Sequence, residues 1–193
     1  NDRSKEIFCK FNDKRFKYFN SPKHTKLGEA RNNAFKKCKG KFISFLDVDD
    51  WWDKNKLYYQ MEILNAGNDI KFAFSNYWFV DQRYNERNEY TKHYKNKSYS
   101  GFITNNLLKR YVVGISTVIF EKEILTNLTE PFDSNINFCD FGLFMNLSLK
   151  YKFFYDEKPL VYYRWHKENG THKKYNIYVE EMNKWLKDEK NIQ

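Results

Sequence analysis

The chain has 193 residues, of which 41% are hydrophobic and 20% aromatic, with 18 Phe and 15 Tyr. That composition excludes a disordered chain, and the length suits a single domain able to bury roughly 70% of its unfolded surface. Lys and Arg (34) outnumber Asp and Glu (25), and the net charge of +9 points to an anionic partner or substrate: nucleic acid, phospholipid headgroup or nucleotide phosphate.

The first residues, NDRSKEIFCK, lack the apolar core of a signal segment, and every apolar run is shorter than the roughly 18 residues a membrane-spanning helix needs. Leu27, Ala30, Ala34, Phe35 and Cys38 recur at helical spacing. They predict a helix over about 28–39, with Gly40 as a left-handed C-terminal cap. FISFL follows without polar alternation, the pattern of a strand covered on both faces as in parallel sheets. Next, Asp47, Asp49 and Asp50 crowd together ahead of Trp51 and Trp52. Asp53 can cap a helix carrying Leu57, Met61 and Leu64 and ending near Gly67, and KFAFSNYWFV reads as the following strand. Residues 81–101 have no clear period and read as an irregular excursion. A short helix over 103–110, a strand at VVGISTVIF, a helix at CDFGLFMNLSLK and extended chain at KFFYDEKPLVYYRW complete the order. Helices alternating with covered strands predict α/β winding.

Carboxylates as close as those of the acidic cluster repel unless a cation lies between them. Ligands of open α/β sheets bind beyond the carboxyl ends of the strands, where this cluster is expected to fall. It is no EF-hand loop, because Trp51 and Trp52 occupy positions that need an oxygen ligand and Gly. Two carboxylates hold Mg²⁺ or Mn²⁺ when substrate phosphates and water complete the octahedron. The bland alternative is that Asp50 and Asp53 cap the next helix while Asp47 and Asp49 are solvated. Cys9, Cys38 and Cys139 form no CxxC pair, so neither a disulfide framework nor a zinc site is predicted, and a reducing compartment fits. Basic residues are scattered, with no RNP-like aromatic pattern or GXXG loop, which argues against nucleic acid.

LGEARNNAFKKCKGKFISFLDVDDWWDKNKLYYQ resembles the central stretch of family 2 glycosyltransferases, where a helix with an Arg-Asn pair precedes a strand ending in a DXD motif. GISTVIFEKEIL and FCDFGLFMNLSLKYKFFYDEKPLVYYRWH are similar to the family's later half, with its acidic helix start and Tyr-Arg-x-His stretch. The resemblance implies a GT-A fold: a mixed, mostly parallel sheet flanked by helices in one catalytic domain. Residues 1–80 would form the nucleotide-sugar half, and 81–193 the acceptor half with a C-terminal flap. It further implies a nucleotide-sugar donor (a UDP-sugar), Mn²⁺ or Mg²⁺, a growing surface glycan or lipid-linked glycan as acceptor, and inversion at the anomeric carbon.

Carried over residue by residue, Asp49 would ligate the metal and Asp47 would contact the metal or the donor's ribose. Arg31 would face the nucleotide, and Asp2 its base. Asp140 would be the general base, Arg164 and His166 would meet the diphosphate from the flap, and Asp50 would cap the helix after the cluster. Two departures stand out: Cys139 replaces the first carboxylate of the family's acidic pair, and the strand and helix expected before NDRSKE are missing, so an N-terminally short fold is expected. The expected location is cytoplasmic, at the inner face of the membrane. The alternatives are a non-catalytic scaffold of the same fold and a basic nucleic-acid-binding domain.

Overall fold

Phe72, Phe74, Phe120 and Phe153 are fully buried, and the sheet is organised around them. Phe153 stacks on Phe72 with ring centroids 3.8 Å apart, and Phe120 lies against Phe72 at 5.5 Å. These rings come from three strands, so the aromatic richness of the sequence serves first to join strands laterally. The computed structural model describes residues 3–21, 23–67, 69–81, 90–92 and 99–188. Asp2 and most of the 81–101 excursion lie outside the described residues.

The elements in chain order are α1 (Ser4–Phe8), α2 (Leu27–Lys37), β1 (Phe42–Ser44), β2 (Trp51–Trp52), α3 (Lys56–Asn65), β3 (Ile70–Asp81) and β4 (Tyr90–Lys92). They continue with α4 (Thr104–Lys109), β5 (Val118–Glu121), α5 (Cys139–Lys150), β6 (Lys152–Trp165), α6 (Gly170–Lys173) and α7 (Tyr175–Lys187). The strands form a six-stranded sheet in the order β1-β5-β3-β6-β2, with β4 on the upper part of β3.

The sheet is mixed, as expected, but its pairings run against the expected parallel majority. Among the described residues only β3 and β6 pair in parallel, along most of their length, while β1–β5, β2–β6, β3–β4 and β3–β5 are antiparallel. The physical reason is that polar alternation is erased by cover on both faces, whichever way the neighbouring strand runs. Helices α4 and α5 supply the large core on one face, with Leu107, Phe144 and Met145 against Phe72 and Phe74. On the other face α3 packs Leu64 and Met61 against Ala73, Ile119 and Phe154.

Gly67 adopts φ +73° just past α3, the left-handed stop its sequence position implied. Gly40 is not in that region, because α2 ends earlier on an extended Cys38. The predicted strand at 112–120 begins only at Val118, since Ile115–Thr117 form a single 3-10 turn in which the Thr117 N–H and hydroxyl both bond the Gly114 carbonyl. Among the described residues no helix is long and apolar enough to cross a membrane.

Candidate functional site

Arg31 is the hub of the site. It sits in the second turn of α2, is 7% exposed, and lies with its guanidinium 5.7 Å from the Phe132 ring centroid. A buried guanidinium needs partners at both ends of its planar fork. Its Nη2 donates to Asp47 Oδ1 at 3.2 Å, and its Nη1 donates to Asp140 Oδ1 at 3.2 Å and to Cys139 Sγ at 3.3 Å. Neighbouring residues fix its aim. Asn32 bonds the backbone N–H and C=O of Phe132 at 2.9 and 2.7 Å. One turn earlier, a Cβ on Gly28 would stand 2.6 Å from the Asp133 carbonyl oxygen, so only glycine lets α2 approach this closely.

Burial pushes the Asp140 carboxyl above the usual carboxylate range, with the Arg31 charge as the main opposing influence. Burial also pushes the Cys139 thiol up to about 11, which leaves it neutral at ordinary pH. Asp140 lies in the first turn of α5 and is 13% exposed in its side chain, open enough for a ligand to reach.

The acidic loop is held from two sides. The Asp50 carboxylate accepts the Ser116 hydroxyl at 2.7 Å and the Arg164 N–H at 3.1 Å, so it does not cap α3 as expected; burial raises its pKa to about 6. Ser116 Oγ also accepts the Asp47 N–H at 3.2 Å, and its carbonyl accepts the Trp52 indole N–H at 2.8 Å. The residue before α3 that does hold a backbone N–H is Asp53, whose Oδ1 accepts that of Asn55 at 2.8 Å.

From the C-terminal side, Arg164 Nε donates to the Asp49 carbonyl at 2.8 Å, and Asp49 Oδ2 meets His166 Nε2 at 3.0 Å and Asn169 Nδ2 at 3.4 Å. The Glu168 N–H donates to His166 Nδ1 at 3.2 Å. With Nδ1 accepting, the neutral ring carries its proton on Nε2, facing Asp49.

Among the described residues no group of three or more His, Cys, Asp and Glu is arranged to hold a metal ion by itself. The Asp47 and Asp49 side chains are nevertheless 41% and 30% exposed on the wall of one cleft. Such an open pair of hard oxygen donors fits a divalent ion whose remaining positions are taken by diphosphate oxygens and water. His166 would join only by leaving Asp49 and shifting its proton.

The cleft has a volume of about 570 Å³, within the roughly 300–1,000 Å³ usual for small-molecule sites. Arg31, Asp47, Asp49, Asp50 and Asp140 form its charged wall, and Phe79, Tyr163, Trp165 and Tyr178 add aromatic surface. Four residues singled out in the sequence thus share one cavity, and Arg164 and His166 reach it through Asp49. Asp2 lies outside the described residues. Sequence reasoning missed Ser116, Asn169 and Tyr178. The signal for Ser116 was a Gly followed by a Ser-Thr pair inside an apolar run, which marks a turn rather than an uninterrupted strand.

The profile of Glycosyl transferase family 2 matches residues 1–125, a span holding Arg31, Asp47 and Asp49 but ending before α5. The Escherichia coli UDP-Glc:alpha-D-GlcNAc-diphosphoundecaprenol beta-1,3-glucosyltransferase WfgD is 30% identical over 137 residues, 68% of this chain and 49% of WfgD. An uncharacterised glycosyltransferase of Haemophilus influenzae is 28% identical over 193 residues, 98% of this chain and 73% of that protein. The crystal structure of Staphylococcus aureus TarS 1-349 in complex with UDP superposes with a TM-score of 0.65 at 19% identity, covering 93% of this chain and 52% of that one. The chain therefore spans about half the length of WfgD and of the TarS structure.

Proposed function

Because the chain belongs to glycosyl transferase family 2 and carries the GT-A fold, we propose that it transfers a sugar from a UDP-sugar to a hydroxyl of a surface or lipid-linked glycan, inverting the anomeric carbon. One observation carries this reading: Arg31 bridges Asp47, in the acidic loop, and Asp140, at the start of a helix, at 3.2 Å each on the wall of a single cleft.

Asp140 is the general base. Its carboxylate takes the proton of the acceptor hydroxyl while the hydroxyl oxygen forms the new bond to the anomeric carbon and the donor bond to the diphosphate oxygen breaks, the electron pair leaving on the nucleoside diphosphate. A carboxylate whose pKa is raised by burial is a stronger base than a solvated one. Arg31 opposes the upward shift of the Asp140 pKa and fixes the position of Asp140 relative to the acidic loop. His166 and Asn169 hold Asp49 at the cleft wall. Asp49 and Asp47 would hold Mn²⁺ or Mg²⁺, which supplies Lewis-acid charge opposite the departing diphosphate. WfgD's name joins UDP-Glc to a diphosphoundecaprenol acceptor, which supports a UDP-sugar donor and a lipid-linked acceptor here. Residues 1–80 supply Arg31, Asp47 and Asp49 to the donor, and residues 81–193 supply Asp140 to the reacting hydroxyl of the acceptor, at the cytoplasmic face of the membrane where such acceptors are anchored.

Thermal denaturation with UDP, with and without Mn²⁺, tests this. UDP and Mn²⁺ together stabilise the folded chain by about 2.7 kcal/mol at a hundredfold excess over Kd, and Asp49→Asn removes the metal-dependent part, since an amide oxygen is a poorer partner for a hard cation. A UDP shift that is the same with and without Mn²⁺, or none at all, rejects the metal-dependent reading.

A further inference from the structure

The two tryptophans after the acidic loop do different things, and only one is accounted for by the site. Trp52 is structural: its indole N–H bonds the Ser116 carbonyl, and its ring lies 4.3 Å from Lys56 Nζ. Trp51 is 37% exposed and stacks on Tyr162, with ring centroids 5.2 Å apart and planes within 7° of parallel. Strand alternation puts this pair on the sheet face opposite the cleft. Val161, Tyr163 and Trp165 of β6 and Tyr77 and Phe79 of β3 line the cleft, whereas Tyr162 and Trp78 line a second, open concavity of about 570 Å³ with Trp51, Trp52, Asp53 and Lys54. Helix α3 packs its apolar residues on this face over Ala73, Ile119 and Phe154, lower in the sheet.

We propose that this concavity is a docking subsite for the saccharide chain of the acceptor, an inference that rests on the sugar-transfer reading. A pyranose ring has an apolar face of C–H groups that lies flat on an aromatic ring, and a rim of hydroxyls that both donate and accept. The concavity offers the same pairing, flat aromatic surface bordered by a carboxylate and an ammonium, Asp53 and Lys54. Opposite charges at the rim suit neither an acyl chain nor a run of phosphates.

Position supports the same occupant. Trp51 follows Asp50 directly, and β2 is the edge strand beside β6. A glycan that leaves the cleft across this edge strand meets Trp51 on the other face. Holding sugars behind the reacting end raises the effective concentration of that end in the cleft, so longer acceptors gain and single sugars do not.

The test titrates the intact chain with maltohexaose, cellohexaose and chitohexaose, following the Trp51 indole N–H signal by NMR, and measures the affinity of the parent, Trp51→Ala and Trp51→Phe by isothermal titration calorimetry. At least one hexasaccharide shifts the Trp51 signal; its affinity falls about 3- to 10-fold in Trp51→Ala and is largely restored in Trp51→Phe, which keeps a flat ring. In transfer assays Trp51→Ala raises KM for long acceptors by the same factor, with kcat and the KM for a monosaccharide acceptor unchanged. No hexasaccharide shift at Trp51, equal affinity in Trp51→Ala, or equal loss for short and long acceptors overturns the subsite. Failure of sugar transfer itself is read separately, from the UDP and Mn²⁺ denaturation, because hexasaccharide binding needs neither donor nor metal. An unchanged melting temperature establishes that Trp51→Ala is folded, and loss of binding in Trp51→Phe as well as in Trp51→Ala also counts against stacking.

Discussion

Arg31 and Asp140 are 109 residues apart in sequence, and their contact decides the chemistry available to the cleft. Burial raises the Asp140 pKa and the Arg31 guanidinium opposes that without cancelling it, so the carboxyl titrates above its ordinary range. Only the ionised form accepts a proton, so transfer falls as pH drops through this raised pKa and levels off above it. Asp140→Asn is expected to lower kcat by roughly 10² to 10⁴, the usual worth of a general base, and to remove that acidic limb from any residual activity. UDP affinity stays within about twofold of the parent, because the acidic loop is held directly by Ser116 and Arg164 and meets Asp140 only through Arg31, which an Asn side-chain oxygen can still accept from. Stopped-time assays from pH 5 to 9 check both, and a variant with the parental pH profile removes Asp140 from the mechanism. Asp47 and Asp49 were legible in the sequence because their crowding is itself an electrostatic anomaly. Asp50 was misread, because an Asp ahead of a helix looks the same whether it caps that helix or, as here, accepts from Ser116 and Arg164.

At the scale of elements, α3 shows how a helix is fastened to a sheet through one buried charge. Lys56, its first residue, is fully buried, and its ammonium donates to Gln60 Oε1 at 2.8 Å, Ser44 Oγ at 3.2 Å and the Val118 carbonyl at 3.4 Å. It thereby ties α3 to β1 and β5. Burial pushes its pKa down from 10.5 to about 7. Between those values the unfolded chain keeps a proton that the folded chain releases, so the stability due to Lys56 is lowest below about pH 7 and climbs as pH rises toward 10.5. Lys56→Met leaves Gln60 Oε1 without its donor, a loss of about 1–3 kcal/mol, and removes this pH dependence. Urea titrations at pH 6.5 and 9.5 should therefore find the variant's deficit larger at the higher pH by about 1–3 kcal/mol; parallel curves would exclude a titrating Lys56. The elements that sequence predicted best, α5 and β6, have hydrophobic patterns long enough to outvote local exceptions. Helix α7 was not predicted, because its inward residues, Tyr178, Met182 and Trp185, stand among Glu180, Glu181, Lys184 and Lys187 and form only a narrow apolar stripe.

Across the whole molecule, the chain's C-terminal helix completes a helix formed much earlier. Helix α5 begins without a side-chain cap of its own, so the N–H groups at its start need an acceptor from elsewhere. Glu181 of α7 supplies it: Oε1 accepts the Asn137 N–H at 2.8 Å and the Asn137 side-chain amide at 3.0 Å, and Oε2 accepts the Phe138 N–H at 2.8 Å. Lys174 Nζ reaches Asn137 Oδ1 at 2.9 Å, and Tyr178 stacks on Phe138 at 4.8 Å. A negative group at that helix end also opposes the positive end of the α5 dipole. Composition announced a basic surface but could not announce this arrangement, in which an acidic residue from the last helix sets the start of the helix bearing Asp140. Glu181→Ala should thus destabilise the fold by about 1.5–3 kcal/mol, the usual scale for hydrogen bonds to a charged group. It should also lower kcat with little change in UDP affinity, because the acidic loop makes no contact with Glu181. Glu181→Gln, which keeps one accepting oxygen, should recover part of both losses. Calorimetric UDP titration beside single-turnover transfer separates the two effects: a matched fall in UDP affinity and turnover would mean that α7 supports the whole cleft rather than the α5 end alone.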